Sequence, residues 1–260
     1  MPLQHEIVIP DMRYAIYFAA EADDPLMQLG NAWLGRDPFS GRELAQPVIE
    51  GLAPDRLFQL TASPRRYGFH GTLKAPFRLR DGESEAALLD ACAAFAGSVA
   101  PFDIQGLDVN RLGKFLALTP KGTEPDLQAF AALCLRSFEP FRAPLSDDDL
   151  ARRRRSGLTS RQDAYLAAWG YPYVFEEFRF HMTLSDKLDD DTEAAALTRA
   201  AQSFFADVTG RPRSCRTFGL YVEPEPGGPF QVRGIFTLTG TVTPQAAEQQ
   251  TGGSSRKENA

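Results

Sequence analysis

The sequence predicts an α+β protein of two pseudo-symmetric lobes, each an antiparallel sheet with helices on its outer face, enclosing a central cleft. Three observations carry this expectation. A strand–helix–strand–strand pattern runs from Gly68 to Pro120 and recurs from Tyr173 to Leu238. Both copies contain the same tetrad at the same place, His70-Gly71-Thr72-Leu73 and His181-Met182-Thr183-Leu184. The 260 residues are 43% hydrophobic and 24% charged, enough apolar material for one bilobal domain over residues 1–240.

The elements follow in order. Arg13–Ala20 is aromatic and apolar and reads as a buried strand. Asp24-Pro25 opens a helix through about Leu34, with proline in the first turn where its missing N–H costs nothing. Gly68–Leu79 is a strand and Glu83–Gly97 a helix ended by glycine. Phe102–Val109 and Lys114–Pro120 form a strand pair. Glu124–Phe138 is helical, and Leu145–Gly170 is a charged helical region containing the run Arg152–Arg155. Tyr173–Asp186 reads as a long strand and Asp191–Asp207 as a helix. Thr217–Glu223 and Phe230–Leu238 form a second strand pair. The polar, unpatterned stretch from Pro244 to Ala260 reads as a disordered tail.

Several function classes recede at once. A net charge of −6 argues against binding along an extended nucleic-acid backbone, though a small anion needs only local positive charge. Cys92, Cys134 and Cys215 are odd in number, widely spaced and set among apolar neighbours, which predicts core thiols in a reducing compartment. No run is long enough to span a bilayer, and Met1–Asp11 lacks the basic start and apolar core of a secretory signal, so a cytoplasmic location is expected.

The histidines carry the chemistry. A given histidine precedes x-Thr-Leu by chance roughly once in two hundred times, yet two of the three do so here. In a strand, alternation puts His70, Thr72 and Lys74 on one face, and Arg179, His181, Thr183 and Ser185 on another. Facing each other, two imidazoles could pass protons near neutral pH while the threonine hydroxyls and Lys74 or Arg179 hold phosphate oxygens. Lys74 opposite Ser185 would make the two halves electrostatically unequal. Two histidines without a patterned carboxylate or thiol are a poor metal set, and no P-loop is present, so neither metal nor cofactor is expected. Tyr67, Tyr171 and Tyr173 admit packing or stacking on substrate. The Arg152–Arg155 run admits a solvated helix face or a cationic lip.

The paired H-x-T-L tetrads in a duplicated chain resemble the two-histidine (2H) phosphoesterase superfamily, which includes RNA ligase-like cyclic phosphodiesterases, over roughly Arg13 to Leu238. The stretches Tyr67–Lys74, Trp169–Val174 and Glu177–Leu184 resemble more narrowly a branch encoded in bacterial phosphonate-utilisation operons. The resemblance implies catalysis by His70 and His181, and phosphate binding by Thr72 and Thr183. Lys74, Arg179 and Tyr67 are added as candidate substrate contacts. The implied function is metal-independent hydrolysis of a small cyclic phosphodiester. The alternatives are an RNA-end or oligonucleotide 2′,3′-cyclic phosphodiesterase, and a non-catalytic protein that binds a phosphorylated metabolite.

Overall fold

The computed structural model describes residues 12–254, so the expectations for Met1–Asp11 and for residues 255–260 lie outside the described residues. In chain order the elements are β1 (Arg13–Phe18), α1 (Pro25–Leu34), α2 (Arg56–Leu60), α3 (Ala62–Tyr67), β2 (Gly71–Phe77), α4 (Glu85–Ser98), β3 (Phe102–Ile104), β4 (Leu107–Leu112) and β5 (Phe115–Pro120). They continue as α5 (Pro125–Ser137), α6 (Asp147–Arg154), α7 (Ser160–Trp169), β6 (Met182–Thr183), α8 (Asp191–Phe204), β7 (Arg213–Cys215), β8 (Thr217–Glu223), β9 (Gln231–Thr237) and α9 (Pro244–Ser254). The expected α+β class with antiparallel pairing is what the chain adopts.

The two repeats do not, however, close on themselves. Seven strands form one sheet in the order β4-β5-β6-β2-β1-β8-β9, and β3 pairs with β7 in a separate ribbon. The hairpin β4–β5, which follows the first tetrad in sequence, pairs with the strand of the second. The hairpin β8–β9 reaches the strand of the first tetrad through β1. Helix α4 follows that reading, packing on β8 and β9, while α8 packs on β4. Each lobe is thus built from both halves of the chain. The exchange buries the apolar strand faces against helices from the complementary half, with Phe95, Phe130, Phe138 and Phe218 in mutual ring contact at the centre.

Local sequence explains the remaining differences. Gly106, with φ of 135°, breaks the expected strand Phe102–Val109 into β3 and β4; its backbone lies against Arg211, where a side chain would clash. The expected strand Tyr173–Asp186 shrinks to β6, because Phe175–Glu177 takes a 3-10 turn with Phe175 at φ of 52°. The three cysteines are free and buried, and burial pushes the thiols of Cys92 and Cys215 up to about 12. Residues 244–254 form a helix rather than the expected disordered tail: Pro244 opens it, Ala247 packs on the core and Arg136 holds Glu248 at 2.9 Å.

Lys74 is also placed differently. Phe18 pairs with Gly71 and Tyr17 with Thr72, but Ile16 pairs with Lys74, so Leu73 is an extra residue in β2. The bulge reverses the alternation beyond it, and Lys74 leaves the face of Thr72. It is 2% exposed, donating to the Leu135 carbonyl at 3.2 Å and to Glu139 Oε2 at 2.7 Å beneath α5. Ser185 is equally buried, donating to the Asp186 carbonyl and accepting from the Leu116 N–H. Neither follows its tetrad onto an open face, so the expected Lys74/Ser185 inequality does not arise there. Lys74→Met removes a buried charged hydrogen-bond donor, while Arg142 still holds Glu139. The expected result is a loss of about 1.5–3 kcal/mol of stability, seen as a lower urea midpoint at unchanged slope.

Candidate active site

The two tetrads meet edge to edge. Gly71 of β2 pairs with Met182 of β6 in antiparallel register. Continuing that register one residue either way sets His70 opposite Thr183 and Thr72 opposite His181. All four project from one face, while Gly71 and Met182 point to the other. The histidines lie on the diagonal of this square, a spacing of about 7–8 Å between backbones, which suits two rings flanking one small group. Gly71 is required for the approach, because a Cβ there would sit 2.5 Å from the Phe180 ring. Trp33 of α1 fixes the second tetrad, its indole N–H donating to the Leu184 carbonyl at 2.8 Å.

Both imidazoles are oriented the same way. His70 Nδ1 lies 2.8 Å from the Gly68 carbonyl, and His181 Nδ1 lies 2.7 Å from the Arg179 carbonyl. A carbonyl only accepts, so each Nδ1 carries the proton and each Nε2 is left for chemistry. His70 Nε2 accepts from the Thr72 hydroxyl at 3.2 Å. The His70 ring stacks on Tyr17, with centroids 3.6 Å apart and planes at 19°. Burial lowers the pKa of His70 to about 4; the Gly68 hydrogen bond opposes this, and repulsion from His181 adds to it. His181 is half-buried, with Phe115 at 5.7 Å between ring centroids.

A cavity of about 290 Å³ opens over His181 and Thr72, walled by Phe115, Tyr171, Tyr173 and Arg179. Arg179 stands exposed at its rim, donating to the Glu176 and Phe178 carbonyls at 2.8 and 2.7 Å. Tyr67 lies 6.3 Å from His70 but lines a neighbouring cavity, its hydroxyl accepting from Arg66 at 2.6 Å. The arginine run divides. Arg152 pairs with Asp149 and Arg154 with Asp163, whereas Arg153 turns inward over the Tyr171 ring at 5.6 Å. The geometry therefore gathers His70, Thr72, His181 and Thr183, sets Arg179 and Tyr67 at the periphery, and leaves Lys74 out. Among the described residues no group of three or more histidine, cysteine, aspartate or glutamate side chains is arranged to hold a metal ion.

Tyr17, Phe115 and Arg13 escaped the sequence reading. Arg13 and Tyr17 sit four residues apart in β1, hence on one face, and the first lines the neighbouring cavity while the second stacks on His70. A charged residue opening an otherwise apolar strand was the available signal.

Comparison with known proteins places the chain. It is 42% identical over 221 residues to a protein of Janthinobacterium sp. (strain Marseille) named ribose 1,5-bisphosphate phosphokinase PhnN, covering 84% of this chain and 49% of that one. A protein of the same name from Laribacter hongkongensis (strain HLHK9) is 36% identical over 226 residues, covering 85% and 50%. The chain thus spans about half the length of these curated relatives. Among solved structures, TT0787 of Thermus thermophilus superposes with a TM-score of 0.39 at 16% identity, over 88% of this chain and 98% of that one. A structure described as a phosphoesterase gives 0.36 at 14% identity, over 88% and 99%. Residues 72–231 match a family model that starts inside the first tetrad and takes in all of the second, and the chain belongs to that family, described as protein of unknown function (DUF1045).

Proposed function

We propose that the chain is a metal-independent phosphoesterase, a cyclic phosphodiesterase acting on a small sugar or nucleotide phosphate by two-histidine general acid–base catalysis. The observation that carries this reading is the Gly71–Met182 pair, about which strand alternation puts His70, Thr183, Thr72 and His181 on one sheet face. The resemblance of the tetrads to the two-histidine phosphoesterases supports it. So does the pairing of Arg152 and Arg154 with carboxylates, which offsets part of the charge of the Arg152–Arg155 run that an oligonucleotide backbone would need. The name of the two relatives concerns a ribose bisphosphate, which makes phosphorylated riboses the first compounds to test.

In the proposed reaction the phosphodiester sits between the two Nε2 atoms. His70, neutral because burial lowers its pKa to about 4, takes a proton from the attacking water as the new P–O bond forms. His181, entering protonated, gives its proton from Nε2 to the departing ester oxygen as the old P–O bond breaks. With substrate bound, the Thr72 hydroxyl turns from His70 Nε2 to a non-bridging oxygen, and the Thr183 hydroxyl donates beside it, where negative charge grows. A bound anion favours the protonated imidazole, so the proton gained by His70 is held until the product leaves.

Replacing either His70 or His181 by Ala is expected to lower kcat by at least about a hundredfold on a turned-over 2′,3′-cyclic nucleotide or ribose cyclic phosphate. Near-normal rates in both variants would sink the assignment, and inactivation by EDTA with recovery on adding metal would replace it with a metalloenzyme.

The pH dependence has a definite sign. His70 is depressed from 6.5 to about 4, so the unfolded chain binds a proton before the folded one does. Its contribution to stability is complete above about 6.5 and lost as pH falls toward 4. The His70→Asn variant should lose less stability than wild type over that window, followed by thermal unfolding. For kcat/KM, the acid limb in the wild type should fall near pH 4 if His70 is the base. A limb at 6.5 that survives His70→Asn would assign the base elsewhere.

A further inference from the structure

Beside the histidine face lies a second cavity, of about 410 Å³, that the proposed hydrolysis does not use. Arg13, Arg66, Tyr67, Arg78, Arg152 and Arg153 all line it. Five guanidinium groups in one small space repel each other unless anions intervene. Two carboxylates do so in part. Glu223, fully buried, holds Arg66 at 3.0 Å and Arg13 through two nitrogens, one of them at 2.8 Å. Asp149 holds Arg78 at 3.2 Å and pairs with Arg152. These pairs fix four of the side chains along the wall, and the guanidinium groups of Arg13, Arg66 and Arg152 each carry more N–H groups than a carboxylate consumes.

Arg153 has no such carboxylate. Its Nε is buried without a hydrogen-bond partner among the described residues, and its guanidinium lies over Tyr171. A buried donor left unsatisfied is unfavourable, and a bound anion would supply the acceptor it lacks. Among the described residues the set has more positive than negative charge, in a planar, multi-donor form that matches phosphate oxygens.

The position of the cavity identifies whose anion this is. Tyr67 belongs to its lining and stands 6.3 Å from His70. Tyr171 lines the cavity over His181 and carries Arg153 on its ring. Two tyrosines therefore separate the histidine pair from the arginines, and a sugar could bridge them. We infer that the arginine cavity binds a terminal phosphate monoester of the substrate, so that the molecule hydrolysed carries a cyclic phosphodiester at one end and a phosphomonoester at the other. This rests on the proposed phosphoesterase reading for the identity of the first group.

The test compares 2′,3′-cyclic AMP with the same compound carrying a 5′-phosphate, by calorimetric titration of the full chain and of Arg153→Met and Arg153→Lys. In the wild type the 5′-phosphate should tighten Kd by about ten- to a hundredfold, the range for hydrogen bonds to a charged group. Arg153→Met should lose most of that gain while binding the unphosphorylated compound as before, and Arg153→Lys should keep part of it. Equal affinity for the two compounds in the wild type, undetectable affinity for both included, overturns the inference. So does a gain that survives Arg153→Met unchanged. Hydrolysis is followed in the same samples. Tight, Arg153-dependent binding without turnover would uphold the anion site and sink the hydrolase reading, whereas turnover with no 5′-phosphate effect would do the reverse.

Discussion

The antiparallel contact between Gly71 and Met182 is the constraint on which the site depends. Side chains alternate along each strand, so a slip of one strand by one residue would send its histidine and threonine into the apolar layer under the helices. Several independent contacts hold the register. Phe180 fills the space that a Cβ on Gly71 would need, Trp33 donates to the Leu184 carbonyl, and the Ser185 hydroxyl takes the Leu116 N–H. The extra residue at Leu73 acts on the other side, turning β2 so that Lys74 goes into the core while Thr72 stays on the open face. Packing contacts far from any ligand thus decide which side chains a ligand could meet.

The approximate symmetry of the tetrads is broken by what surrounds them. His70 lies flat on Tyr17 with further aromatic rings of Tyr67 and Tyr221 at 6.3 Å, and burial there favours the neutral ring. His181 sits at the mouth of a cavity beside Phe115 and an exposed arginine. The two imidazoles thus share one backbone anchoring through Nδ1 but differ in their aromatic surroundings. The residues that follow the tetrads, Lys74 and Ser185, take no part in this difference because both are buried away from the cleft.

Much of this was legible in the sequence, and the reasons for the failures are local. The repeat and the tetrads located the strands, and the helix starting at Pro25 and those near residues 85, 125 and 191 lie where they were expected, although α4 runs through Gly97, its expected stop, to Ser98. Alternation correctly grouped His70 with Thr72 and failed at Lys74, since a bulge leaves no mark in an unaligned sequence. Pairing partners were equally hidden: adjacent hairpin and strand suggested closed repeats, while the exchange between halves is a tertiary choice. The C-terminal helix was missed because its residues are small and polar, and its anchor, Arg136, lies in a distant element. Arginine pairs across long separations, such as Arg13 with Glu223, carry no sequence signal at all.

The exchange of hairpins between the halves also bears on how the chain comes to be folded. Contacts such as Trp33 to Leu184 span 151 residues and Arg13 to Glu223 span 210. Such pairings must close long loops before they are rewarded, which slows folding and leaves the apolar edge of β1 uncovered until β8 arrives. During synthesis from the N-terminus, His70 emerges first, and its partner tetrad cannot pair with it until β6 has been made. Neither half can be separated as a miniature of the whole, since each lacks strands its own sheet requires. The pairing of the two tetrads is therefore among the last features to form, and a half-made chain contains one histidine of the pair without the other.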